Sequence, residues 1–297
     1  MLSHLYSKPH TPKRVVVLGS RGFIGQAITI RLQELGISVL PLSRYQLDLL
    51  SPSALDELLA LLKPEDVLVI ACANAPCKNL EMLRENLLMM EPVCASLKHC
   101  NASQVIYISS DAVYKDSAEP LTEASCAEPN SIHGVMHLSR EVALRQAYAG
   151  PLALVRPTLV YGLNDPHNGY GPNRFRRFAA IGQDIVLFGE GEERRDHVDV
   201  QDVADLVSHI VRRLSVGIAN AVSGHVVSFR EIAEFVAAAY SPEVKVLGTT
   251  REGAMPHNGL RAFDNSLLCE SLPELHFKNW QEGLSQVHQQ QLSKAVE

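Results

Sequence analysis

The sequence has no excess of basic residues, no long apolar run and no paired cysteines, and each absence removes a class of function. Its 297 residues carry 33 acidic and 27 basic side chains, a formal charge of −6, without the basic excess or stripe that marks nucleic-acid binding. A small negative charge serves solubility and names no partner. The longest apolar stretch, residues 67–73 (VLVIACA), falls far short of the roughly 20 residues of a membrane-spanning helix. The opening segment MLSHLYSKPHTPKR lacks the apolar centre of a secretory signal. We therefore expect a cytoplasmic protein with neither nucleic acid nor membrane as partner. Six cysteines (Cys72, Cys77, Cys94, Cys100, Cys126, Cys269) are scattered without a C-x-x-C pair, and they read as reduced thiols, mostly buried.

What is present is the composition of an ordinary globular protein, with 46% hydrophobic and 20% charged residues. A chain of this length forms one large domain or two, since domains run to about 100–200 residues, and its core needs no disulfide or metal staple. Apolar, often β-branched runs at 14–18, 38–42, 67–73, 104–108 and 152–155 predict strands. Between them, apolar residues at helical spacing predict helices over 22–35, 55–62, 80–100 and 134–148, the first stopped by Gly36. Strands that are apolar throughout and alternate with helices predict a parallel sheet covered on both faces, a doubly wound α/β fold. The character changes after Gly162, where a loop-rich stretch at 163–173 leads to shorter elements carrying Arg174, Arg176, Arg177, Arg194 and Arg195. We expect one domain over 12–165 and a smaller α/β portion over 166–297, with 196–214 returning to the first.

Where the first strand meets the first helix stands Gly19-Ser20-Arg21-Gly22-Phe23-Ile24-Gly25. The first glycine permits a tight turn, the second lets backbone approach a pyrophosphate, and the third allows close helix–strand packing. The helix N-terminus adds amide donors and the positive end of its dipole. The spacing is G-x-x-G-x-x-G rather than G-x-G-x-x-G, but in this strand–helix context it predicts nucleotide binding. The end of the second strand then chooses the cofactor, an acid binding the ribose 2′-hydroxyl and a base accepting a 2′-phosphate. Leu42-Ser43-Arg44-Tyr45 holds no acid, so Arg44 favours NADP over NAD; its other reading is an exposed surface arginine.

The glycine loop, Ser109-Ser110-Asp111-Ala112-Val113-Tyr114, residues 155–162 (VRPTLVYG) and residues 195–204 (RDHVDVQDVA) occur in an order that resembles one family. They are similar to the extended short-chain dehydrogenase/reductases, the NAD-dependent epimerase/dehydratase family, from about residue 14 to about residue 290. The serine stretch and Leu47-Asp48-Leu49 are most similar to the dTDP-4-dehydrorhamnose reductase branch. The resemblance implies a Rossmann-type fold with a smaller substrate domain, NADP or NAD as cofactor, a nucleotide-sugar as small-molecule substrate, and a homodimer. It implies that Gly19, Gly22, Phe23, Ile24 and Gly25, with Arg21 in the same loop, cradle the pyrophosphate. Asp48 and Leu49 would flank the adenine, Ala71 and Ala73 would line the cofactor, and Pro157 and Val160 would sit by the nicotinamide. Ser110 would bond the substrate oxygen undergoing oxidation or reduction. Arg195 would meet the substrate's phosphates with help from Arg174, Arg176 or Arg177, unless these arginines form a solvated basic face. Asp202 reads as structural.

One departure from the family pattern bears on the chemistry. The family places Tyr-x-x-x-Lys at the start of the helix after the serine, and here those two slots hold His133 and His137. A phenol near pKa 10 is a poor base until a neighbouring ammonium favours its phenolate. An imidazole titrates near 6.5 unperturbed, so His133 could act as general acid or base without a helper. His137 could still bond the nicotinamide ribose, but it brings no permanent charge. The i, i+4 spacing also suits a shared metal ion, yet the glutamate of H-E-x-x-H is missing, and no metal is expected. Two functions follow. The first is an NAD(P)-dependent oxidoreductase, epimerase or dehydratase of a nucleotide-linked sugar, with Ser110, His133 and His137 as its catalytic group. The second is a catalytically silent NAD(P)-binding regulatory or scaffold protein of the same fold.

Overall fold

A computed structural model describes residues 2–240 and 243–296. A short strand β1 (Ser3–His4) precedes β2 (Val15–Leu18), α1 (Phe23–Glu34), β3 (Val39–Leu42), α2 (Ala54–Leu61) and β4 (Val67–Ile70). Next come α3 (Leu80–Leu88), α4 (Met90–Leu97), β5 (Gln104–Ile108), α5 (Ile132–Ala147), β6 (Leu152–Pro157) and β7 (Leu159–Tyr161). The remainder holds α6 (Pro172–Ala180), β8 (Ile185–Val186), β9 (Arg194–Asp199), α7 (Val200–Arg212), β10 (Ser215–Ala221) and β11 (Val226–Ser228). It ends with α8 (Phe229–Tyr240), β12 (Val246–Leu247), β13 (Leu260–Arg261), α9 (Ser266–Ser271) and α10 (Trp280–Val296).

Seven strands form the main sheet in the order β1-β10-β6-β5-β4-β2-β3, parallel except for β1. From β2 the chain moves to one side for β3 and to the other for β4. That reversal opens a crevice at the carboxyl ends of β2 and β4, the place where open α/β sheets bind ligands. Each central strand is buried on both faces, which explains its unbroken apolar sequence. Val15, Val17, Val67, Val69 and Ile106 point into one layer with Ile28 and Leu32 of α1 and Val203, Leu206 and Ile210 of α7. Val16, Leu18, Leu68, Ile70, Val105 and Tyr107 point the other way, toward Leu58 of α2, Val93 of α4 and Leu144 of α5. The period-2 alternation of the strands thus divides one sheet between two cores.

Outside this sheet, β9 pairs with β7, β11 and β13, and β8 pairs with β12. A third core lies between α6, α8 and α10, built around Phe175, Phe229, Ile232, Val236 and Leu284. The segment after residue 194 is shared between the two parts. β9 belongs to the smaller sheet, whereas α7 packs on α1 and β10 extends the main sheet beside β6. Among the described residues, no helix is long and apolar enough to cross a membrane.

Two expectations need correction. The helix expected over 80–100 is interrupted near Met89 and forms α3 and α4. Pro92 has no N–H to give the carbonyl of Leu88, so the hydrogen-bond ladder of one continuous helix cannot run through it. The cysteines are all free, but only Cys77 and Cys100 are buried; Cys72, Cys94 and Cys269 are half-buried and Cys126 is exposed.

The helix after the serine is anchored by charge as well as by packing. Glu141 of α5 is fully buried and accepts two bonds from Arg156 of β6, at 2.9 and 2.6 Å, and one from Ser109 Oγ at 2.6 Å. Arg156 also stacks over the Tyr114 ring, 4.7 Å from its centroid. Breaking such a pair from one side strands a buried charge. Arg156→Ala is therefore expected to lower unfolding free energy by about 3–5 kcal/mol in urea titrations, and a loss under about 1 kcal/mol would contradict this role.

Candidate active site and cofactor cleft

The glycine loop closes the carboxyl end of β2. Gly19 lies at φ +85°, in the left-handed region, and a Cβ there would sit 2.8 Å from the backbone of Cys72. At Gly25 a Cβ would stand 2.2 Å from the Gly19 carbonyl. Any side chain at either place would push α1 off the sheet. The Gly19 amide bonds the Leu42 carbonyl at 2.8 Å, which turns the loop toward β3. Gly22 caps α1 with no side-chain hydrogen bond, and the first turn of the helix carries no acid. That turn leaves amide donors and a positive dipole end for an anion.

Beside the loop lies a cavity of about 430 Å³, lined by Gly19, Arg21, Gly22, Arg44, Asp48, Leu49, Ala71, Ala73 and Asn74 among others. Eight cofactor residues expected from the sequence therefore line one space, at the ends of β2, β3 and β4: Gly19, Arg21, Gly22, Arg44, Asp48, Leu49, Ala71 and Ala73. Arg44 is exposed and 3.3 Å from the Asp48 carboxylate, while Arg21 stacks over the exposed Tyr45 ring at 5.5 Å. Phe23 and Ile24 pack instead against the core beneath the loop. Pro157 ends β6 opposite Ala221, and Val160 lies in β7 opposite Val198, both outside this lining.

Ser110 follows β5 directly. Its Oγ accepts the Ala112 amide at 3.1 Å and donates to Asp111 across 3.4 Å. Ser131 caps α5 by accepting the Gly134 amide at 3.1 Å. Gly134 brings the first turn of α5 against the serine loop, since a Cβ there would stand only 2.0 Å from the Ala112 carbonyl. His133, one residue earlier, is held at this junction. Its Nδ1 accepts the Cys77 amide at 3.3 Å, so the neutral ring carries its proton on Nε2. Burial moves its titration below the ordinary 6.5, and the Asp111 carboxylate opposes that shift. The expectation of an unperturbed imidazole is revised accordingly.

His137 meets His133 edge-on, with ring centroids 4.7 Å apart. It is 5% exposed, and its Nδ1 lies 2.7 Å from the Tyr107 hydroxyl. Burial, His133 and Arg140 all hold it well below 6.5. Three residues that the sequence reading did not assign to the site complete this corner: Cys77 through its amide, Tyr107 and Arg140. Tyr107 was hidden in an apolar strand. Arg140, at i+3 from His137, shares its helix face, and that spacing is the signal that could have found it.

The arginines divide. Arg195 approaches Asp111 at 3.6 Å and Glu193 at 3.4 Å, and its buried Nε has no partner. Arg261 of β13 also donates to Asp111, at 3.0 Å, and to Asp116 at 2.7 Å. Arg176 bonds the carbonyls of Gly162 and Leu163, and Arg177 bonds Asp165, so both hold the loop before α6. Arg174 stacks over Phe178 of its own helix at 5.0 Å. Asp202 of α7 accepts the amide and ammonium of Lys278.

A doubly wound sheet with a glycine loop and cleft at its switch point, joined to a smaller lobe, defines a nucleotide-binding α/β protein. The chain belongs to the NAD dependent epimerase/dehydratase family, whose model matches residues 15–222. It is 27% identical to a putative GDP-L-fucose synthase 2 from Arabidopsis thaliana, over 96% of this chain and 93% of that protein. It is 26% identical to a dTDP-L-rhamnose 4-epimerase from Burkholderia thailandensis, over 90% of each. Its fold is similar to a GDP-L-fucose synthetase from Naegleria fowleri bound to NADP, with a TM-score of 0.82 at 16% identity, over 99% of this chain and 98% of that one.

The electrostatics of His133 can be read directly. Since burial lowers its titration and Asp111 raises it, the ring should titrate below pH 6.5 in NMR, and Asp111→Asn should move the midpoint lower still. A midpoint above 6.5, or an upward move in the variant, contradicts the placement of the ring.

Proposed function

We propose that this chain is an NAD(P)-dependent enzyme acting on a nucleotide-linked sugar as an oxidoreductase, epimerase or dehydratase. Ser110 and His133 hold the reacting oxygen in this reading. The observation that supports it is the contact at Gly134, which brings the turn of α5 bearing His133 against the loop that follows Ser110. Family membership supports the cofactor class, and the names of the curated relatives support a nucleotide-linked sugar.

The residues present fit a nicotinamide dinucleotide. Gly19 and Gly25 let the loop pack tightly on the end of β4 and on the start of α1, and the uncapped, acid-free first turn of α1 can bond the oxygens of a diphosphate. Asp48 and Leu49 would flank the adenine, Ala71 and Ala73 the diphosphate side of the cleft, and Arg44 with Arg21 a 2′-phosphate if one is present. Such a cofactor supplies a hydride acceptor or donor when bound. The protein's part is to orient and to polarise. Ser110 can donate a hydrogen bond from its hydroxyl to the substrate oxygen. His133, with Nδ1 occupied by the Cys77 amide, offers an Nε2–H and no free basic nitrogen, so it acts as a neutral donor to developing negative charge. Arg195, near Asp111 with its Nε unpartnered, is the side chain best set to meet a substrate phosphate.

Three outcomes test this. Gly22→Asp, which places bulk and charge in the loop, should abolish NADP binding in calorimetry, and unchanged affinity would remove the loop from the site. Arg44→Ala should weaken NADP far more than NAD, and equal losses would remove the preference for NADP. His133→Ala should lower turnover of the true nucleotide-sugar by roughly 10²–10³-fold, the effect of losing one preorganised donor, with cofactor affinity little changed. Tight cofactor binding with no turnover of any nucleotide-sugar would favour the catalytically silent protein.

A further inference from the structure

Arg140 is the least expected residue of this fold. It is fully buried, yet among the described residues it forms no ion pair. Its Nη2 donates to the Cys72 carbonyl at 2.8 Å, and its Nε and Nη1 have no partner. The guanidinium carbon lies 5.2 Å from the centroid of the Tyr107 ring. Its neighbour Glu141 is turned to Arg156 and does not compensate it. A buried cation without a carboxylate is costly, commonly by several kcal/mol, and so calls for a role.

Its surroundings give one. Tyr107 contacts both Arg140, through its ring face, and His137, through its hydroxyl. We propose that Arg140 is the fixed cation of this site and acts through Tyr107, as a positioning residue that fixes which nitrogen of His137 carries its proton. Burial keeps the Tyr107 hydroxyl protonated, and the nearby guanidinium polarises it as a donor. The hydroxyl then donates to Nδ1 of His137, which leaves the imidazole proton on Nε2. The cation also disfavours a second proton on the ring. With His133 fixed by the Cys77 amide in the same sense, the site carries two neutral Nε2–H groups on one helix face. The charge that a lysine at position 137 would present is held one turn along α5, as a field and not as a contact.

The groups that face this corner are few. Cys72 comes from the end of β4, Cys94 from α4 and Tyr107 from β5; His133 and Arg140 come from α5, and Asp111 from the serine loop. Glu141 acts on Tyr107, and Glu85 of α3 is turned to Asn74. Among the described residues at this corner, the carboxylates are Asp111 beside His133, Glu141 bonded to Arg156 and Glu85 bonded to Asn74.

The inference rests on the proposed function for its site, but its test uses the protein without cofactor. Imidazole ¹⁵N NMR of the wild type should show His137 protonated on Nε2 only and unchanged between about pH 5 and 8. Arg140→Met removes an unpaired buried charge and so should fold. It should raise the His137 midpoint by about one unit, a tenfold gain in proton affinity. Arg140→Lys should restore the wild-type behaviour. Tyr107→Phe should let both tautomers appear without altering charge. A His137 signal that is the same in wild type and Arg140→Met overturns the proposal, whatever the activity. If the signals move as expected while no nucleotide-sugar is turned over, the role of Arg140 stands and the enzymatic reading falls.

Discussion

Glu141 accepts three hydrogen bonds inside the protein, two from Arg156 and one from Ser109, and the candidate site depends on that bonding. It joins α5 to β6 and to the end of β5, so the helix carrying both histidines and the loop carrying Ser110 share one anchor. Packing alone would leave α5 free to slide by a fraction of a turn. A bidentate carboxylate–guanidinium pair, directional and unscreened by water, fixes its rotation. Gly134 then sets its distance from the loop, because nothing larger fits against the Ala112 carbonyl.

The parts of the fold that could be read in the sequence are those where one residue type has one physical meaning. Gly19 and Gly25 are glycines because backbone stands where a Cβ would be, and the unbroken apolar runs of β2, β4 and β5 follow from burial on both faces. The nucleotide-binding loop at the end of β2 followed from the same signals. The helix break near Met89 was legible too, had the missing N–H of Pro92 been weighed against apolar spacing. The Tyr107–Arg140 corner was not. A tyrosine in an apolar strand looks like core, and an arginine in a helix looks like surface; only tertiary packing puts the two together under His137. The same holds for Cys77, which meets His133 through its backbone amide and gives no side-chain signal.

The histidine pair gives this corner an electrostatic character different from that of a tyrosine and a lysine. A phenol and an ammonium would offer a titratable acid and a permanent charge on the helix surface. Two imidazoles held below their ordinary range offer neutral N–H groups, and the permanent charge lies deeper, over the Tyr107 ring. Neutral donors stabilise developing charge without requiring a change in protonation at neutral pH. That suits polarising an oxygen better than removing its proton.

Asp111 follows Ser110 in the chain, but its partners Arg261 and Arg195 belong to β13 and β9 of the smaller sheet. The serine is therefore tethered at two ends, through Ser109 to the large sheet and through Asp111 to the small one. A rotation of one lobe against the other would be transmitted to the Ser110 hydroxyl as through a lever with a short arm. A ligand that drew Arg195 away from Asp111 would slacken one side of that linkage and leave Arg261 as the remaining tie.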